Sequence, residues 1–404
     1  MPRPRSRPYQ FDMDAPCVLA SRRPASASRR AIIVLEALEL ERRYTNVRTA
    51  MAGHDLDALV VSGSEYSGFE GAVTYLSGFQ IVHRYAYVVV PASGDPFIVF
   101  PNEARYVGEH GTSQIEQVFH DRPGAHMAEH ARGAGWKRVG VYGLDYVMAV
   151  RDEWMLEAAG LELVPFDVEF DLARAAKSEA ELESVRDSVR INERGFEIFL
   201  EEYAPGKSAA EVMARAEEWF VAEGCGRLTM NMVLTGTDAY ARPEFKIARR
   251  EEVLPKFLLP SLEVAGPGMH WVEVSRAIAT QDAALSEDTE RMLEAYLEYD
   301  EAARSAMRPG ASCHDVHRAV SAGFLERGYH LGHVTGHSIG MTMIEFPKIG
   351  EGVETELAEN MVFSMHPHAI AANGEDCLYM QETWLVTAEG GVPLSSLPMQ
   401  VFRA

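Results

Sequence analysis

HVTGHSIGMTMIEFPKIGEG (333–352), LAENMVFSMHPHAI (357–370) and YMQETWLVT (379–387) decide how this chain is read. Each segment sets titratable side chains into a short apolar run: His333, His337 and Glu345 in the first, His366 and His368 in the second, Glu382 in the third. Upstream, LEVAGPGMHWVEVSR (262–276) does the same with Glu263, His270 and Glu273. Runs of this kind, bounded by Gly, Pro and Asn, have the character of strands.

The rest of the chain limits what those segments can serve. Its 404 residues suit two or three domains with ample core. A net charge of −22 argues against nucleic acid or an anionic membrane as the main partner, because both are polyanions. Cys17, Cys225, Cys313 and Cys377 lie far apart and form no CxxC pair. Neither a disulfide framework nor a structural zinc site is expected, and a reducing cytoplasm is the expected location. No apolar run reaches the ~18 residues needed to span a membrane. Residues 1–35 are basic and rich in Arg and Pro, the composition of a flexible extension.

From residue 36 the pattern alternates. Residues 36–56 have helical periodicity ending at Gly53. ALVVSG (58–63), VTYLSGF (73–79), YAYVVVP (85–91), PFIVFP (96–101) and RVGVYG (138–143) read as strands, and EWMLEAAG (153–160) as a helix. This is a mixed α/β unit over 36–168. After a strand edge near 167, a long amphipathic helix begins, with Ser178 and Glu181 spaced as a capping box. Further helices are expected over 208–224, 287–307 and 314–328, with strands over 228–236, 257–266 and 270–280.

In order and spacing, the three opening segments resemble the catalytic half of the pita-bread superfamily, which holds methionine aminopeptidase, aminopeptidase P, prolidase and creatinase. The resemblance implies an α+β architecture. A creatinase-like amino-terminal domain (36–168) would precede a pita-bread domain (169–404) with antiparallel sheet and flanking helices. In the superfamily's metallopeptidases, four carboxylates and one histidine hold two divalent ions. Carried over residue by residue, the resemblance puts Glu273 at the second ligand, His337 at the histidine, His366 in the place of a glutamate and Glu382 at the bridging glutamate. Leu262 stands eleven residues before Glu273, where the first ligand is expected. Glu263 beside it should face the other way unless a bulge intervenes. His333 matches a histidine that aminopeptidase P and prolidase also carry. Ile344 stands where the peptidases carry the histidine of HExP, with Glu345 and Pro347 kept.

Two carboxylates compensate two dications poorly. The expectation is therefore no cofactor. The alternative is a single Zn or Fe on His337, His366, Glu382 and Glu273, and a two-metal site is not expected. The expected catalytic residues are His337, His366, Glu382, Glu273 and His333, with Arg84, His83, Arg242, Glu244, His270 and Glu345 around the substrate. His270 taken alone also suits a satisfied structural histidine. Arg84 matches a creatinase arginine that reaches a substrate carboxylate across a dimer, so the resemblance implies a homodimer. The leading functional expectation is hydrolysis of a C–N bond in a small, carboxylated amidine, ureido, cyclic or amide substrate by Glu/His acid–base chemistry. The alternatives are an Xaa-Pro-type aminopeptidase or dipeptidase with a modified one-metal site, a lyase, and a binding protein on the same fold.

Overall fold

The computed structural model describes residues 37–65, 70–81, 83–106, 114–226, 228 and 230–404. The extension expected over 1–35 lies outside them. Ala58–Ser64, Tyr85–Pro91, Phe97–Pro101 and Arg138–Tyr142 are strands, as their composition predicts. With Glu116–His120 and Glu162–Pro165 they form one six-stranded sheet. Ala58–Ser64 lies at its middle, antiparallel to Tyr85–Pro91 and parallel to Arg138–Tyr142.

One expected strand is a helix. The first five residues of VTYLSGF (73–79) are the end of the helix Glu70–Ser77. Residues 72–79 are all buried, so no solvent face imposes a period that would separate helix from strand. Gly78 ends the helix at φ 68°, the left-handed conformation that glycine adopts without Cβ strain. The strand edge expected near 167 is likewise the helix Asp167–Ala173.

The second half is held together by helices laid against curved sheets. Helix Glu179–Glu202 opens with both bonds of a capping box: Ser178 Oγ accepts from the Glu181 N–H at 3.2 Å, and the Glu181 carboxylate accepts from the Ser178 N–H at 2.9 Å. Asn192, buried in its middle, donates to the Leu262 carbonyl at 2.9 Å and so ties the helix to the site hairpin. That hairpin pairs Glu263–Ala265 with Trp271–Glu273. Beside it runs a five-stranded antiparallel sheet in the order Glu345–Ile349, Gly336–Ser338, Val362–Met365, Glu382–Thr387, Gly390–Pro393. Helices Glu287–Ala306 and Cys313–Glu326 cover its back, packing Tyr296, Tyr299 and Phe324 into the core that holds Trp384. Among the described residues, no helix is long and apolar enough to cross a membrane.

The two halves are in direct contact at Gly71 and Met341. A Cβ on Gly71 would fall 1.8 Å from the Met341 carbonyl oxygen. A buried ion network closes the same seam: Arg174 pairs with Asp171 at 2.7 Å and Glu345 at 3.0 Å, and Lys177 with Glu345 at 3.2 Å.

Candidate metal and active site

Glu273, at the end of its strand, sits under two imidazoles. His337 Nε2 lies 3.4 Å from Glu273 Oε1, and His366 Nε2 lies 3.7 Å from Oε2. One ligand atom from each of Glu273, His337 and His366 falls within 4.8 Å of the others, and all three residues are buried. Sheet register brings the histidines together: Gly336–Ser338 and Val362–Met365 are neighbours, with His337 opposite Ser364 and His366 following directly. His337 Nδ1 bonds the Ser338 carbonyl at 3.0 Å, leaving Nε2 for the carboxylate. His366 Nδ1 is buried without a hydrogen-bond partner.

Electrostatics sharpens the group. Burial acts to raise Glu273, but His337, by its hydrogen bond and its charge, opposes it and the carboxyl is lowered. Burial acts to lower His337, and the Glu273 carboxylate overcomes it and raises it. Burial drives His366 down to about 3, so it is a neutral imidazole. A cavity of about 300 Å³ opens onto the group. His333, Tyr379, Phe245, Val334, Ile344 and three methionines, Met230, Met232 and Met343, complete its wall with Glu263.

Two members of the cluster were not expected from sequence. Glu263 is the direct cross-strand partner of Glu273, so both carboxyls share a face. Counting along the chain points Glu263 away; the hairpin register brings it in. Burial and the Glu273 charge push Glu263 well above the usual carboxyl range. The other is Gln381, whose side-chain NH₂ donates to Glu263 Oε1 at 2.9 Å and Glu273 Oε2 at 3.0 Å.

Gln381 stands where Glu382 was expected. The two are adjacent on an extended chain and point to opposite faces. Glu382 is buried against Arg276, accepts from Ser395 Oγ at 2.6 Å and from the Ser395 N–H at 3.1 Å, and is not brought to the histidines. The expected ring of substrate contacts is also not assembled. Glu345 is consumed by the Arg174–Lys177 network. His270 is buried with Nδ1 on Ser184 Oγ at 2.9 Å. Arg242 is exposed and pairs with Glu375 at 3.4 Å, and Glu244 is exposed beside it. His83 lies 3.5 Å from Glu65, and the exposed Arg84 gives its backbone N–H to the same carboxylate at 2.7 Å. None of these six lines the cavity. His333 does, with its ring 5.0 Å from that of His366.

The comparisons with known proteins fit this geometry. Residues 183–388 match the model of metallopeptidase family M24, and residues 43–176 that of the creatinase/prolidase N-terminal domain. The chain belongs to metallopeptidase family M24. It is similar to the "Probable dipeptidase PepE" of Mycobacterium tuberculosis, 26% identical over 89% of this chain and 95% of that protein. The Xaa-Pro dipeptidase of Pyrococcus horikoshii is 22% identical over 55% of this M24 chain and 63% of its own length. Two solved structures share the fold. The prolidase from Pyrococcus horikoshii has a TM-score of 0.73 at 19% identity, covering 89% of this chain and 99% of its own. Dipeptidase PepE from Mycobacterium ulcerans has 0.73 at 23%, covering 91% and 98%. The pita-bread expectation holds.

The expectation of no cofactor does not hold. It rested on too few carboxylates, counted with Glu382 included. Membership of a metallopeptidase family and the Glu273–His337–His366 group overturn it. The residues fit a divalent cation: two imidazoles and a carboxylate are a common Zn or Fe donor set. His337 carries the Nδ1–carbonyl bond that orients metal-bound histidines.

Proposed function

We propose that this M24 chain is a dipeptidase-type metallohydrolase, cleaving the C–N bond of a small peptide that bears an apolar side chain, with Xaa-Pro dipeptides in its range. The observation that carries the reading is the Glu273–His337–His366 group at the wall of an apolar cavity, within a chain of this family. The dipeptidase names of its relatives support a peptide substrate over an amidine or ureido one. At about 300 Å³ the cavity is near the small end of the range for ligand sites, which favours a dipeptide-sized molecule. Its thioether and aromatic wall adapts to apolar side chains of varied shape.

Glu273, His337 and His366 would hold the divalent cation. When bound, the cation supplies Lewis-acid polarisation of a carbonyl and lowers the pKa of water. The chain's own groups do the rest. Tyr379 and Phe245 give the cavity an aromatic wall. Glu263, raised by burial and the Glu273 charge, puts a second carboxyl on the cavity wall, one that donates a hydrogen bond when it holds a proton. His333 has Nδ1 on the Val334 carbonyl at 2.9 Å and is kept neutral by burial, so its Nε2 lone pair can take a proton from the attacking water and hand it on to the departing nitrogen. A homodimer and a cytoplasmic location belong to the same proposal, and molar mass in solution reads the first directly.

The test is a panel of Xaa-Pro and Xaa-Leu dipeptides followed by mass spectrometry, before and after chelation. Release of the amino-terminal residue, lost with chelator and restored by added Zn²⁺ or Mn²⁺, is expected. Turnover that survives complete metal removal sinks the proposal, as does a metal-loaded protein inert on every dipeptide.

A further inference from the structure

A buried hydrogen-bond relay runs from Ser275 to the cation-binding carboxylate. Gln381 and Ser275 exchange two backbone hydrogen bonds, each 3.1 Å. Their side chains then meet: Ser275 Oγ donates to Gln381 Oε1 at 2.8 Å. The opposite end of the amide donates to Glu263 and Glu273 at 2.9 and 3.0 Å. Ser275 and Gln381 are both fully buried.

The direction of this relay is forced. A charged carboxylate only accepts, so the amide must turn its NH₂ toward Glu273. Its carbonyl then faces Ser275, and the hydroxyl is the group there that satisfies it. Flipping the amide would set oxygen against oxygen at Glu273 and cost the buried hydrogen bond there.

We infer that Gln381, locked by Ser275, is a positioning residue that holds the Glu273 carboxylate in the orientation in which it and the two histidines bind a divalent cation. The inference rests on the metal-site reading above. Groups of this kind, one bond removed from the ligands, commonly change metal affinity by ~10–100-fold when removed. Gln381 also bridges the two carboxyls with a donor to each, so its loss removes the amide bond that each one accepts.

The experiment is titration of metal-free protein with Zn²⁺ by calorimetry, alongside thermal unfolding without metal. Wild type should bind. Gln381→Leu should weaken the Kd by ~10–100-fold. Ser275→Ala should weaken it in the same direction, and Ser275→Thr, which keeps the hydroxyl, should restore it. A folded Gln381→Leu with the wild-type Kd overturns the inference. Should Gln381→Leu fail to fold, the serine pair decides: equal Kd for Ser275→Ala and Ser275→Thr overturns it too. A purely structural role would lower the unfolding temperature and leave the Kd unmoved. Wild type that takes up no cation overturns the metal-site reading itself, a result distinct from either variant outcome.

Discussion

Glu273 and Glu382 are both buried carboxylates of one sheet system, and the residues around them could hardly differ more. Glu382 accepts from Arg276, from Ser395 twice and from the Thr383 N–H. Arg276 is itself saturated, with bonds to the carbonyls of Ser275, Gln381, Leu397 and Pro398. Glu273 has one amide donor and two histidines that stand off at 3.4 and 3.7 Å, beside a cavity. A carboxylate whose lone pairs are all met by protein is bound into the structure. One left among loosely spaced ligand atoms keeps capacity for something else, at the expense of stability.

Substitution at the two positions separates these roles. Glu273→Gln removes the anionic ligand while keeping shape, and kcat/KM should fall by ~10²–10⁴-fold, the range over which single acid–base or ligand groups act. Its unfolding midpoint should stay near wild type. Glu382→Ala should do the reverse, because it strands the Arg276 charge in the interior at about 3–5 kcal/mol. Denaturant unfolding would register that loss, while kcat per folded molecule stays close to wild type. If Glu382→Ala keeps its stability and loses turnover, the contrast between the two carboxylates is wrong.

The same contrast exists between histidines. His270 has a hydroxyl partner in Ser184, whereas His366 Nδ1 has none. Burial, reinforced by Arg43 and Lys177, holds His270 down at about 3, so it is neutral in the folded protein. Its ordinary value is about 6.5. Above that pH both folded and unfolded chains carry it neutral and its contribution is fully present. As pH falls below 6.5 the unfolded chain takes up a proton that the folded one refuses. Stability is then lost by ~1.4 kcal/mol per pH unit until about pH 3. His270→Gln should remove this share of the acid limb, seen as a shallower fall in the denaturant midpoint between pH 6.5 and 5, with dipeptide turnover at neutral pH retained. An acid limb as steep as wild type would mean that His270 is not held neutral.

What sequence revealed divides along the same physical line. The capping box at Ser178 and Glu181 is local chemistry within one turn, and it formed as read. His337, His366 and Glu273, expected from motif order, do come together in the fold. Glu263 and Gln381 were missed because each depends on which face of a strand is turned inward. A one-residue difference flips that face, and only pairing with another strand sets it. The 263↔273 register and the Ser275–Gln381 bridge are such pairings, made between segments up to about a hundred residues apart. The helix Glu70–Ser77 was misread as a strand for a related reason: full burial erased its period.

The smallest effect is expected where sequence placed substrate contacts and the fold placed solvent. Arg242 keeps 56% of its side chain exposed and its partner Glu375 55%. An ion pair that open is screened by water and salt, and such pairs contribute ~0–1 kcal/mol. Arg242→Ala should therefore move the unfolding midpoint little and leave KM for dipeptides unchanged. The KM measurement is the discriminating one, because the guanidinium is the natural partner of a substrate carboxylate. Should Arg242→Ala raise KM tenfold with kcat intact, the Arg242 side chain must swing from Glu375 to the cavity when substrate binds. The boundary between the reactive and the structural carboxylates would then have to be redrawn to include this loop.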